Sequence, residues 1–240
     1  MSKLQVKIVS VGYLPADFHR EKIEKMTSRL FEVVGAIESY SLNSDTDLED
    51  WGYSDALLSS EVPKKNGEDI LIVLTSVPLE DNYYTRRVSN NTIIFTFHEV
   101  ADYLRYENIP LENVVKRLIY GYSLVYLRNG NRIPKTEEFT NFTHDETRGC
   151  LYDMNGLKED IVHSCHSPQI CDDCTQRLLK EKVSSNTIKN AKAEIKSIQK
   201  QKYYQILGWI KNYPVWSILL SSAWAVFLGV IASLITNKLS

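Results

Sequence analysis

The 240-residue sequence lacks the signatures of several common protein classes. It contains no glycine-rich phosphate loop and no internal repeat, which argues against a P-loop nucleotide site and a repeat architecture. No pattern of basic and aromatic residues occurs in residues 1–174, so we expect no nucleic-acid partner. The first 22 residues lack a basic head followed by a sustained apolar run, so no secretory signal is expected.

Charge is divided unevenly along the chain. With 43% hydrophobic and 24% charged residues, a folded core is expected. Residues 175–212 carry nine Lys or Arg against two acidic residues, and residues 213–240 carry a single charge, that of Lys238. Because the whole chain has a net charge of −2, residues 1–174 must carry −10. The sequence therefore predicts an acidic domain followed by a basic segment.

A long uncharged run stands near the end of the chain. Val215–Ile235 is 21 residues without a charge, and as a helix it would span roughly 30 Å, the thickness of the bilayer hydrocarbon. Tyr213 and Trp216 lie at its start, where interfacial aromatic residues belong. We interpret residues 213–240 as a single transmembrane segment, with a buried core helix as the alternative.

The lysines around this run predict its orientation. Only Lys238 follows the run. Four lysines precede it: Lys196, Lys200, Lys202 and Lys211. The positive-inside rule then places the long N-terminal part in the cytoplasm of a single-pass protein of the cell membrane. The sequons at Asn90 and Asn141 would not be glycosylated there, and a reducing compartment favours zinc over disulfides as the role of clustered cysteines.

A row of small residues runs along the predicted membrane helix. Ser221, Ala225, Gly229 and Ser233 recur every four residues. Such rows let helix backbones approach closely in lipid, so they predict self-association, with a simple anchor as the alternative.

The front of the chain has the pattern of an α/β domain, with α+β as the alternative. Apolar periodicity predicts strands over residues 5–13, 36–42, 69–77 and 92–100, and helices over 17–34 and 110–127. The continuous apolar run at 69–77 is typical of a central strand buried on both faces. We expect a β-α-β start and a mixed sheet.

The basic segment 175–212 has helical spacing. Ile188, Ala191, Ile195 and Ile198 form a narrow apolar seam of about two heptads. This pattern fits either a helix docked on the globular domain or a basic helical stalk that self-associates or contacts anionic headgroups.

The segment 142–174 contains all four cysteines and three of the five histidines. Cys171 and Cys174 form a C-x-x-C pair, and Cys150 lies at a distance that zinc sites use. His144 is the preferred fourth ligand, and the rivals are Cys165, His163 and His166. Four protein ligands make a closed, structural zinc site. Ordinary reduced cysteines are the main alternative, and a redox C-x-x-C is a further one.

The order of elements resembles that of archaemetzincin-type zinc metalloproteases. The resemblance is carried by "DILIVLTSVPLEDNYYTRR", then a strand and a helix, then "CLYDM" and "ICDDCTQRL". The matching positions are Cys150, Met154, Cys171 and Cys174, although Met154 is further from its cysteine than in the family. The resemblance implies a metzincin-like domain over residues 1–174, with a structural zinc beside a catalytic one.

The sequence departs from this family at the catalytic motif. Zinc proteases of this kind need H-E-x-x-H on a helix, whereas the predicted helix 110–127 has no histidine. "HEVAD" has Asp102 in place of the second histidine and begins inside a predicted strand, and "HDE" at residues 144–146 lacks the adjacent Glu.

Two functions are therefore predicted. The preferred one is a non-enzymatic, membrane-tethered sensor, effector or interaction protein with an unknown protein or small-molecule partner. Its cytosolic domain holds a structural zinc, and its membrane segment is expected to oligomerise in the membrane or to perturb it. Its layout resembles that of bacterial defence effectors. The alternative is a membrane-bound zinc metallopeptidase with an unusual ligand set.

Overall fold

The computed structural model describes residues 3–138, 142–145 and 147–239. It divides the chain into two compact units, Met1–Gln199 and Lys200–Ser240.

The first unit is built on a six-stranded mixed sheet. Its strands are β1 (Leu4–Val11), β2 (Phe31–Val33), β3 (Glu38–Tyr40), β4 (Ile70–Thr75), β5 (Thr85–Arg87) and β6 (Thr92–Thr96). Five of them are arranged in the order β2-β1-β4-β6-β5. The sixth, β3, pairs with the C-terminal part of β1, whereas β2 pairs with its N-terminal part. All pairings are parallel except that of β5 with β6, which is antiparallel. The α/β fold with a mixed sheet is confirmed.

In the described part of the first unit, seven helices connect or cover these strands. They are α1 (Arg20–Glu24), α2 (Asp55–Glu61), α3 (Val100–Tyr106), α4 (Glu112–Arg128), α5 (Ile161–Cys165), α6 (Asp172–Lys180) and α7 (Ser185–Glu194). Short 3-10 turns lie at Glu80–Asn82, Lys158–Asp160 and Ile195–Ser197.

The central strand β4 is buried on both faces, as its continuous apolar run predicts. Ile70, Ile72 and Leu74 point into the larger core, which includes the apolar face of α4. Leu71 and Val73 point into a smaller core on the opposite face. This alternation follows from the two-residue period of a strand.

The predicted helix over residues 17–34 is wrong for most of its length. Only Arg20–Glu24 is helical, and Phe31–Val33 forms the edge strand β2, in register with Leu4 to Val6 of β1. Phe31 is fully buried in the larger core. Pairing with β1 therefore determines the structure here, in spite of the helical spacing of the apolar residues.

The predicted strand over 92–100 is too long at its C-terminal end. β6 stops at Thr96, and Val100 already begins α3. Glu99, at the N-cap of α3, has a φ of 63°, which no strand residue adopts. His98 therefore lies in a turn between strand and helix.

The basic segment 175–212 is not one helix. Its seam residues Ile188, Ala191, Ile195 and Ile198 are all buried in the larger core of the first unit. Because these side chains remove apolar surface from water, residues 175–199 belong to the folded unit, and the predicted boundary at residue 174 is corrected to 199. The structure therefore has the docked arrangement and no stalk over these residues.

The second unit contains two helices, α8 (Lys202–Asn212) and α9 (Pro214–Leu239). Pro214 stands at the first position of α9, where a missing N–H costs no helical hydrogen bond. Pro214–Asn237 is long and apolar enough to cross a membrane, with a mean hydropathy of 2.3, and its most apolar stretch is 0% buried.

Candidate metal centre

Three backbone features bring the predicted ligand residues together. His144 accepts a backbone hydrogen bond from Met154 and donates one to Tyr152, at 3.1 Å each. Cys150 pairs with Gln169 in an isolated β-bridge. These contacts fold the irregular segment back on itself beside the start of α6.

The C-x-x-C pair lies at the N-terminus of α6. Cys171 is the N-cap residue, and its sulfur accepts the backbone N–H of Cys174 at 3.4 Å. Cys174 lies in the first helical turn, so both sulfurs are on the same side of this helix end. This N-cap contact fixes the Cys171 sulfur at the start of the helix.

The four donor atoms have the spacing of a tetrahedral zinc site. The ligand atoms of His144, Cys150, Cys171 and Cys174 all lie within 4.8 Å of one another. The sulfurs of Cys150 and Cys174 are 3.9 Å apart, and Cys171 Sγ lies 3.5 Å from His144 Nε2. With ordinary zinc–ligand bond lengths, a tetrahedron has S–S and S–N edges of about 3.8 and 3.6 Å. The donor set and its dimensions fit zinc.

The paired thiols of Cys150 and Cys174 have opposite pKa shifts. Their mutual hydrogen bond lowers the pKa of Cys150 to about 5, against the effect of burial. The same bond, burial and the charge of Cys150 raise the pKa of Cys174. Two adjacent thiolates repel each other, so both can lose their protons only when a cation lies between them. A divalent metal meets this requirement.

The ring of His144 is held in the orientation that a metal ligand needs. Nδ1 lies 2.6 Å from the carbonyl oxygen of Asp145 and 3.6 Å from Asp153. An N–H at Nδ1 donating to that carbonyl leaves the lone pair on Nε2, which faces Cys171. Burial disfavours the imidazolium, but the carbonyl, Cys150 and Asp153 raise the pKa of His144.

Asp153 is a supporting residue that the sequence analysis missed. Its carboxylate is buried and accepts the backbone N–H groups of Thr147, Gly149 and Cys150 at 2.8 to 3.0 Å. It thereby fixes the loop that carries Cys150. The available signal is weak: it is one acidic residue in the largely apolar run "CLYDM".

The rival ligands lie outside this group of donors. Cys165 is fully buried elsewhere, and burial raises the pKa of its thiol to about 12. His163 and His166 are not members of the group either.

No second group of metal-binding side chains occurs in the described part of the chain. His98 and Asp102, the two ends of "HEVAD", do not enter one; Asp102 instead forms an exposed ion pair with Arg105 at 2.9 Å. Glu146, the last residue of "HDE", lies outside the described residues, as does Asn141 of the second sequon. Asn90 of the first sequon is exposed in a turn between β5 and β6.

The row of small residues lies on α9, as the sequence predicts. Ser221, Ala225, Gly229 and Ser233 are all exposed. A Cβ atom added at Gly229 would meet no other atom within 4 Å.

Comparisons with known proteins give one solved structure. No protein-family model and no curated protein matches the sequence. The fold is similar to that of the crystal structure of archaemetzincin from Methanopyrus kandleri, with a TM-score of 0.48 and 18% sequence identity. The match covers 75% of this chain and 95% of the archaemetzincin chain.

Proposed function

We propose that this protein is a non-enzymatic, membrane-tethered interaction module, acting as a sensor or effector, whose cytoplasmic domain is stabilised by one structural zinc ion. The observation that carries the proposal is the closed set of four donors, which leaves no coordination position for a substrate or a reactive water. The apolar helix α9 supports the membrane tether.

In this proposal His144, Cys150, Cys171 and Cys174 hold the zinc ion. Bound zinc would supply folding free energy and would join the irregular segment to the start of α6. Neutralising the clustered thiolates is its electrostatic contribution.

Metal analysis of the purified full chain separates this proposal from the peptidase alternative. We expect one zinc per chain, with the same content in His98→Ala, because His98 is not in the group of four donors. A content of two zinc ions that falls to one in His98→Ala would favour a metallopeptidase with an unusual ligand set.

We further propose that α9 spans the bilayer with residues 1–211 in the cytoplasm. The 24 residues of Pro214–Asn237 extend about 36 Å as a helix, enough to cross the hydrocarbon layer with some tilt. Protease added outside intact cells should leave the first unit uncut. Glycosylation of Asn90 in a eukaryotic membrane system would reverse this topology.

The exposed small-residue face of α9 supports self-association. Gly229→Leu places a bulky side chain where two backbones would meet, so cross-linking between copies in membranes should fall sharply, while insertion survives. Phe227→Leu is the control, since it lies about 200° around the helix. Equal cross-linking of the two variants would mean that α9 is only an anchor.

The partner of the cytoplasmic domain is proposed to be a protein or small molecule. Purification from native membranes with the first unit intact would identify a bound protein, and the same sample would report co-purifying small molecules. Nucleic acid is not an expected partner because the first 174 residues are strongly acidic.

A further inference from the structure

A buried arginine without a carboxylate partner lies on α4. Arg117 is only 4% exposed. Its Nε donates to Ser164 Oγ at 2.5 Å, and its NH2 group donates to the Leu151 carbonyl at 3.2 Å. Over the described ranges, no carboxylate forms an ion pair with it. Because a guanidinium stays charged in proteins and a buried unpaired charge is costly, Arg117 calls for an anion.

A second arginine nearby has unused donors. One terminal nitrogen of Arg87, NH1, is buried without a hydrogen-bond partner among the residues described. The other terminal nitrogen donates to the Thr136 carbonyl at 3.4 Å, and the guanidinium lies over the Phe142 ring, 4.9 Å from its centroid. Burial lowers the pKa of Arg87, and Tyr122, Glu138 and Glu137 oppose this shift.

Phe142 links the two arginines. The Arg87 guanidinium lies over its ring, and Phe142, Arg117 and Tyr122 all line one cavity. Thr85 lines it as well, and the Tyr122 hydroxyl lies 3.3 Å from Thr85 Oγ1. One cation and two hydroxyl groups therefore line this cavity, and a second cation lies beside it.

A small cavity lies at this place. Its volume is about 40 Å³, and Arg117, Tyr122, Thr85 and Phe142 are among its lining residues. Since a buried water needs at least about 10 to 15 Å³, the cavity is larger than a site for a single water. Asp153 also lines it, but both oxygens of that carboxylate accept hydrogen bonds from the loop of Cys150.

The cavity adjoins a larger opening. Phe142 and Thr143 line both the cavity and an open groove of about 650 Å³, which Arg87 also lines. A ligand can therefore place an anionic group in the cavity while its remaining atoms lie in the groove.

We propose that this cavity is a binding site for the oxyanion group of a small ligand, a carboxylate or a phosphate, held by Arg117 and Arg87 with the Tyr122 and Thr85 hydroxyls. None of the four candidate zinc ligands lines the cavity, and the proposal goes beyond the proposed function. It requires the folded 142–174 segment, which supplies Phe142 and Leu151.

Calorimetric titration of the full chain in dodecyl maltoside micelles tests the proposal, with inorganic phosphate and glutarate as separate probes. We expect saturable binding of at least one probe, at one per chain, and the preferred probe identifies the anion class. Arg117→Met and Arg87→Met should each weaken binding by at least about tenfold, because each removes charged hydrogen bonds. Arg105→Met is the control, since that exposed guanidinium already pairs with Asp17.

Zinc content is measured in the same samples, so that loss of the anion site is distinguished from loss of the metal centre. If Arg117→Met loses its zinc, Arg87→Met carries the comparison. Absence of saturable binding of both probes to the zinc-loaded wild type would overturn the proposal. So would equal affinity in the wild type and a zinc-loaded variant of the cavity, or an equal loss in Arg105→Met.

Discussion

Different forces order the central strand β4 and the segment 142–174. β4 has six consecutive buried residues between two parallel neighbours, so apolar burial and ladder hydrogen bonds determine its place. Between residues 142 and 171, the described part of the segment has a 3-10 turn and the five-residue α5 as its helical structure. Its ligand-bearing loop is held by a few bridges and by four converging donors. From this comparison we predict that the sheet can stand without a metal, whereas the segment requires one.

The largest effect should come from removing a thiolate. Cys171→Ser or Cys174→Ser should unfold the segment, because structural zinc contributes folding free energy on the order of 10 kcal/mol. Limited proteolysis should then cut within residues 142–174. Unchanged melting temperature and normal expression in both variants would exclude the site.

The second largest effect should come from His144→Ala. It leaves three thiolates, so we expect zinc affinity to fall by more than the roughly 100-fold typical of outer-shell changes, with part of the segment still ordered. Competition with a chromogenic chelator measures this affinity. Cys165→Ala is the control and should keep its zinc; if it loses zinc while His144→Ala does not, Cys165 is the fourth ligand.

A core substitution in the sheet should lower global stability without changing the zinc content. Ile72 is fully buried in the larger core, so Ile72→Ala should cost about 2–5 kcal/mol of global stability, measured by urea denaturation. Folded molecules should retain their full zinc content, because Ile72 is not among the four donors. Selective zinc loss from the folded variant would break the contrast between the two regions.

The smallest effect should come from weakening the support that Asp153 gives to the loop carrying Cys150. Asp153→Asn preserves the shape of the side chain but removes a negative charge that accepts three backbone N–H groups. Zinc affinity should fall about 10- to 100-fold. If the same chelator competition gives this variant the zinc affinity of the wild type, the carboxylate closes the loop without contributing to zinc binding.

The parts of the fold that were predictable are those with strong local patterns. β4 and α4 were found from a continuous apolar run and a long apolar face. Residues 25–34 were not, because their helical spacing is outweighed by pairing of Phe31 with Leu4. For the seam at Ile188 to Ile198, spacing cannot distinguish a docked helix from a stalk, since both bury the same stripe.

The four candidate ligands could be proposed from the sequence because cysteines and histidines cluster in one short segment. The structure brings His144 to the three cysteines through its bridge with Asp153, a contact that no spacing rule encodes. Arg117 and Asp153 were missed for a related reason. The role of a charged residue within an apolar run can be assigned only when its neighbours in space are known.

Hydrogen exchange after zinc removal tests the central claim most directly. In the zinc-loaded full chain, the amides of Leu151 and Gln169, which donate across the bridge at 2.9 and 2.8 Å, should be protected, as should those of Ile72 and Val73 in β4. Removing zinc with a chelator should make the amides of Leu151 and Gln169 exchange rapidly while β4 stays protected. Unchanged protection of Leu151 and Gln169 in the zinc-free chain would contradict the claim that a metal orders this segment.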